Sequence, residues 1–125
     1  METLISPAQM KIYAQTAQAR SKQRRKQLEA RRQRAWEVAR RSAVLLKQEF
    51  GASRVVLFGS LARGPGRFFV RSDVDLAVWG MDERLYLRAV GRLLDLDPEI
   101  KADLIEAEYA RSAVKTAIER DGVEL

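Results

Sequence analysis

From Trp36 to Phe50 the apolar residues recur at the spacing of one helix face, as Trp36, Ala39, Ala43, Leu46 and Phe50, and Gly51 supplies the stop. Upstream, Ser6-Pro7-Ala8-Gln9 reads as a helix start, with Ser6 as N-cap, Pro7 at the first helical position and Gln9 closing a capping box. No Gly or Pro intervenes between Pro7 and Phe50, so the pattern predicts one long helix or two in tandem. Its middle is different: from Gln18 to Arg34 only Leu28 and a few alanines are apolar among eight Lys/Arg. Such a stretch has no continuous apolar face to lay against its own domain.

After Gly51 the period changes from helical to extended. Arg54-Val55-Val56-Leu57-Phe58 is a short β-branched run stopped by Gly59 and predicts a buried strand. The region from Gly59 to Gly66, with Pro65 inside it, reads as a turn. It leads to a second strand, Ser72 to Trp79, which alternates polar and apolar before becoming apolar. Asp82 is placed to cap a helix from about Glu83 to Leu96, with Leu85, Ala89 and Leu93 or Leu94 facing inward and Pro98 in the loop beyond. Lys101 to Glu106 alternates again, and a last amphipathic helix from about Ala110 to Asp121, anchored by Val114 and Ile118, ends at Gly122. The order helix, strand, turn, strand, helix, strand, helix predicts an α+β layer of few strands, without internal repeats.

Charge is divided unevenly along this order. Residues 1–50 carry twelve Lys/Arg against four Asp/Glu, whereas residues 51–125 carry eleven against thirteen, so the net +6 comes from the N-terminal segment. Cys and His are both absent. That excludes disulfides, a thiol nucleophile and the commonest general base, and leaves carboxylates, hydroxyls, Lys/Arg and hard oxygen-bound cations to carry any chemistry. No stretch approaches a membrane span and no apolar core of a signal peptide opens the chain, so the expectation is a cytoplasmic protein with no membrane contact.

Two short segments concentrate the chemistry. Asp73 and Asp75 are two apart on the second predicted strand, so both carboxylates project from one face, a spacing that suits convergence on a hard cation such as Mg²⁺. Such a pattern alone is common on solvent-facing strands and turns. Gly59-Ser60, just after the first strand, changes the weight: a small residue lets backbone N–H groups approach phosphate oxygens, and a Ser hydroxyl adds a donor. Gly59 to Gly64 also begins a Walker A pattern, but Pro65 and Gly66 stand where Lys and Ser/Thr are required, so a P-loop is rejected. What remains is phosphate binding with charge neutralisation passed to metal ions on Asp73 and Asp75.

The segments Leu57-Phe58-Gly59-Ser60-Leu61-Ala62-Arg63-Gly64 and Ser72-Asp73-Val74-Asp75-Leu76 together resemble the signature of the minimal nucleotidyltransferases of the DNA polymerase β-like superfamily. The resemblance covers about residues 36 to 125 and implies a small mixed β-sheet with helices packed on it. In that family Gly-Ser opens a short helix against the triphosphate, the Asp-x-Asp on the next strand binds two metal ions, and a third carboxylate stands on a later strand. Asp103 in Lys101-Ala102-Asp103-Leu104-Ile105 matches that place, with Glu106 as the fallback, and Ile118 to Val123 resembles the closing helix. The resemblance thus implies ATP as substrate, two Mg²⁺ ions on Asp73, Asp75 and Asp103, and Asp103 assisting deprotonation of the acceptor. Gly59 and Ser60 would bind nucleotide. Arg63 is balanced between phosphate and an acidic side chain of the fold, while Arg67 and Arg71 are weaker candidates.

Stand-alone members this short resemble antitoxins that work beside a HEPN-domain ribonuclease toxin, binding it and transferring AMP from ATP to one of its tyrosines. The resemblance therefore implies an adenylyltransferase and a hetero-oligomer with that toxin. Alternatives are a transferase modifying a small molecule and a non-catalytic toxin- or RNA-binding module. The basic segment falls outside the minimal pattern, so the expected division is a helical extension at 1–35 and a nucleotidyltransferase domain at 36–125. That extension reads as a solvated helix, a partner-docking arm or a nucleic-acid-binding arm, although no aromatic lies within Gln18–Arg34 to stack on bases.

Overall fold

The computed structural model describes residues 4–125; residues 1–3 of the expected extension lie outside the described residues. The first element is a single uninterrupted helix, α1 (Pro7–Phe50), rather than two in tandem. Its start is the expected capping box: Ser6 Oγ accepts from the Gln9 N–H, and the Ser6 N–H donates to Gln9 Oε1. Its end is set by Gly51 at φ 70°, whose N–H donates to the Leu46 carbonyl. The stretch from Ala35 to Phe50 buries Val38, Ala39, Ala43, Leu46 and Phe50, whereas the described residues before Leu28 are almost all exposed.

The sheet is built from β1 (Arg54–Phe58), β2 (Val74–Trp79), β3 (Ala102–Glu106) and β4 (Val123–Glu124), in the order β3-β2-β1-β4. β1 pairs antiparallel with β2 and with β4, while β3 pairs parallel with β2, so the sheet is mixed as the family resemblance implied. The parallel pairing requires a crossover, and α2 (Tyr86–Leu94) provides it. Asp82 caps the 3₁₀ turn that precedes α2, accepting from the Arg84 N–H. Ala89 and Leu93 face the core as expected, but Leu94 is exposed and the helix stops before Leu96.

Alternation along the strands splits the apolar residues into two layers. Val55, Leu57, Val74, Leu76, Val78, Ala102 and Leu104 join the buried face of α1 and α2 in the main core. Val56, Phe58 and Ala77 meet Ala107 and Ile118 on the opposite side, where α3 (Ser112–Asp121) packs. β4 is the element that the hydrophobic pattern did not predict. Two residues are too short to display a period, and what holds them is the ladder with Val56 and Leu57.

Candidate functional site

The site forms at the end of the sheet where β1 exits and β2 and β3 enter. Phe58 pairs with Asp75, and Asp75 pairs with Asp103. Register partners on a pleated sheet share a face, so both carboxylates lie on the α3 side, beyond the small cluster of Val56, Phe58 and Ala77. Asp73 lies one residue before β2 rather than on it, because the parallel ladder begins with Val74, whose N–H donates to the Lys101 carbonyl at 2.9 Å just upstream. It remains beside the pair, close enough for the negative charge of Asp103 to raise its carboxyl.

The electrostatics record this crowding. Burial pushes the Asp75 carboxyl up to about 6, and the negative charges of Asp103 and Asp73 add to the rise. Asp73 is also raised, first by burial and then by Asp103, with Lys101 and Arg31 pulling the other way. Lys101 Nζ lies 3.5 Å from Asp103 Oδ1. Like charges so placed favour an added cation.

Gly59 fits against this group. Its φ of 78° is a left-handed conformation that glycine adopts without strain, and a β-carbon there would stand 2.2 Å from Asp75 Oδ2. Ser60 and Leu61 follow in one helical turn, closed by the Arg63 N–H donating to the Gly59 carbonyl at 3.1 Å; the short helix implied by the resemblance is this turn alone. Leu61 is fully buried and anchors the turn, while Ser60 beside it remains partly accessible.

The other candidates separate. Arg63 Nε lies 3.7 Å from Asp121 Oδ2, so the guanidinium faces an acid of the fold that Arg120 also holds at 2.9 Å. Arg67 acts on the same Asp121, and Arg71 is exposed in the turn before Asp73. Glu106 is not brought to the site. It pairs with Val78 at the far end of β3, where burial and then Glu83 and Glu108 raise its carboxyl. Two features escaped the sequence reading: Arg31 acts on Asp73 from α1, and Phe69 and Val70 stand exposed at the turn that leads into Asp73. Arg31 is one of eight Lys/Arg in a stretch without periodicity, so no sequence signal separates it from its neighbours.

Among the described residues no group of three or more Asp, Glu, His or Cys side chains already has the geometry to hold a metal ion. The donor set nevertheless fits a hard divalent cation of incomplete protein coordination. Mg²⁺ takes one or two carboxylates and completes its octahedron with water and substrate phosphates. Two neighbouring carboxyls, both raised by burial and by the charge of Asp103, are poised for such neutralisation.

This is a nucleotidyltransferase arrangement. The chain matches the family profile described as "Nucleotidyltransferase domain" over residues 40–124 and belongs to that family. Comparison with curated proteins gives no significant match. Among solved structures, a toxin–antitoxin crystal structure with AMP-PNP aligns at 19% identity and TM-score 0.55, over 67% of this chain and 69% of that one. A mutant of the toxin–antitoxin MntA-HpeT, in which two aspartates two positions apart are exchanged for glutamate, aligns at 18% identity and TM-score 0.54 over the same shares. At these identities the likeness establishes a shared fold. No helix among the described residues is long and apolar enough to cross a membrane.

Proposed function

We propose that this chain transfers AMP from ATP, with Mg²⁺, to a tyrosine hydroxyl of a HEPN-type ribonuclease toxin, and that it silences this partner by modifying and binding it. The observation that carries the reading is the register of Asp75 with Asp103, with Asp73 beside them and Gly59 closing against Asp75. The toxin–antitoxin identity of both structural neighbours favours a toxin partner, and the AMP-PNP in one of them favours an adenine nucleotide.

Gly59 and Ser60 receive the triphosphate, because a turn without a β-carbon at its first residue brings N–H groups within reach of phosphate oxygens. Asp73, Asp75 and Asp103 would hold the cations, which would supply charge neutralisation for the attacking and leaving oxygens. The acceptor oxygen attacks the α-phosphorus, its bond to the β-bridging oxygen breaks, pyrophosphate leaves, and Asp103 takes the acceptor proton. Arg63 serves the fold by facing Asp121.

Titration calorimetry tests the first half: ATP should bind with Mg²⁺ and lose most of its affinity in EDTA. Equal binding in EDTA would remove the metal role from Asp73 and Asp75. Transfer is tested by label from α-phosphate ATP on the product of the neighbouring reading frame, with replacement of its tyrosines abolishing the label. Label on RNA or on a small molecule instead would overturn the acceptor.

A further inference from the structure

A groove of about 740 Å³ opens between α1 and the turn before Asp73, lined among others by Arg24, Leu28, Arg31, Arg34, Phe69 and Val70. Phe69 and Val70 are 62% and 67% exposed, unusual for apolar side chains that adjoin one another. Their turn is nonetheless fixed: the Ser72 N–H donates to the Phe69 carbonyl, and the Phe69 N–H donates to Ser72 Oγ, both at 2.9 Å. The opposite wall is fixed as well. Leu28 packs on the core, and Arg31 and Arg34 bind the Glu99 carbonyl and carboxylate, each at 3.1 Å. Two rigid walls thus hold an apolar floor open beside the candidate site.

We propose that this groove docks the acceptor as an acidic polypeptide segment, which seats apolar or aromatic side chains on Leu28, Phe69 and Val70 and brings its hydroxyl to the carboxylates of Asp73 and Asp103. The inference rests on the transferase reading above and names the chemistry of its second substrate. Position supports it, since only Arg71 and Ser72 separate Val70 from Asp73, and Arg31 acts electrostatically on Asp73. Charge supports it too. Three arginines line the groove against one acid, Glu99, which is already engaged by Arg34. An acidic segment is therefore attracted, and a basic one is repelled. The floor decides between protein and nucleic acid: Leu28, Ala30 and Val70 bury aliphatic surface, and Phe69 is the one aromatic lining the groove, whereas single strands need successive stacking faces. The wall supplied by residues 24–34 lies outside the family match at 40–124, so the groove is an addition to the common domain.

The experiment uses the full chain, a random copolymer of Glu and Tyr as the probe, and poly(A) as the competing polyanion. Phe69→Ser with Val70→Ser, and separately Arg24→Glu, should each weaken copolymer binding by about tenfold or more. Arg25→Glu, one residue away and outside the groove lining, controls for general charge and should change it by less than about twofold. ATP affinity and melting temperature should stay level in all variants, because the exposed side chains at 69 and 70 contribute little to the core. In transfer assays with labelled ATP the groove variants should raise KM for the copolymer and spare kcat at saturation. Copolymer binding unchanged in the groove variants, or weakened equally by Arg25→Glu, overturns the groove while leaving nucleotide transfer intact. Tighter binding of poly(A), lost in the groove variants, would assign the groove to nucleic acid and overturn the polypeptide. Absence of ATP binding in the parent protein would instead strike the transferase reading itself.

Discussion

Gly59 is pressed against Asp75, leaving 2.2 Å between the position of a β-carbon at residue 59 and Asp75 Oδ2. The bare backbone at residue 59 is thus a condition for the position of the carboxylate. Gly51 has nearly the same backbone, with φ 70° against 78°, but nothing lies within 4 Å of its missing β-carbon. The two glycines therefore separate backbone strain from displacement of the site.

Gly51→Ala and Gly59→Ala should each lose about 1–2 kcal/mol from the left-handed conformation. Only Gly59→Ala should also abolish transfer, because Asp75 must move or the turn must open. Chemical unfolding together with labelled-ATP assays compares them. An active Gly59→Ala enzyme would show that Asp75 has room to move without losing its role.

Asp73→Asn with Asp75→Asn should abolish transfer and leave the metal-free protein as stable as its parent or more so. Asp75 is held at about 6 in the folded chain against an ordinary 3.8, so between those values the folded state binds more protons than the unfolded one. Metal-free stability therefore falls as pH rises through that interval. The double variant should lack this slope, and Mg²⁺ with nucleotide should raise the melting temperature of the parent alone. A parent protein whose metal-free stability rises between pH 4 and 6 would contradict the crowding of these carboxyls.

How much of this was legible in the chain differs by element. Ser6, Pro7, Gln9 and Gly51 fixed both ends of α1 through local backbone chemistry, which needs no tertiary knowledge. β1 and its exit at Gly59 were equally legible, since a β-branched run stopped by glycine acts over a few residues. Asp73 fell outside β2 because a strand end is set by its partner, here the Lys101 carbonyl. Arg34 ends a stretch whose pattern predicts no apolar face against the domain, yet it binds Asp97 at 2.5 Å across 63 residues of sequence. An ion pair of that separation leaves no periodic trace, and neither does a two-residue β4.

Asp97 gives a pH dependence of the opposite sign. Burial works against its charge, but the N–H groups of Glu99 and Ile100 and the Arg34 guanidinium outweigh it and hold the carboxyl below the ordinary range. Stability from a depressed carboxyl is fully present above the unfolded value near 3.8 and is lost as pH falls through the folded one. Asp97→Asn should thus melt lower than its parent at pH 7, and the gap should narrow below about pH 4. A gap that persists undiminished at pH 3 would mean that packing, not ionisation, carries the contribution.

Shortening α1 tests where the domain begins, expected from the sequence at residue 36. From Pro7 to Arg24 the helix is exposed almost throughout, so removing residues 1–23 takes away a solvated segment whose helicity does not depend on the core. Melting temperature and ATP affinity should then stay level. Removing residues 1–34 is a different operation: it strips Leu28 from the core edge, frees the Glu99 carbonyl from Arg31 and leaves Asp97, 8% exposed, without Arg34. Leu28 is only partly buried and contributes about 1 kcal/mol. An unpaired carboxylate at Asp97 costs a further 1–3 kcal/mol or so, reduced because Arg34 is itself 44% exposed and because two backbone N–H groups still donate to Asp97. The shorter protein should therefore fold but melt on the order of 10 °C lower than its parent. Adding Asp97→Asn to it should recover part of the difference, since the orphaned charge is gone. A shorter protein that melts with its parent would place the domain boundary where the sequence pattern put it and reduce Arg34 to a surface contact.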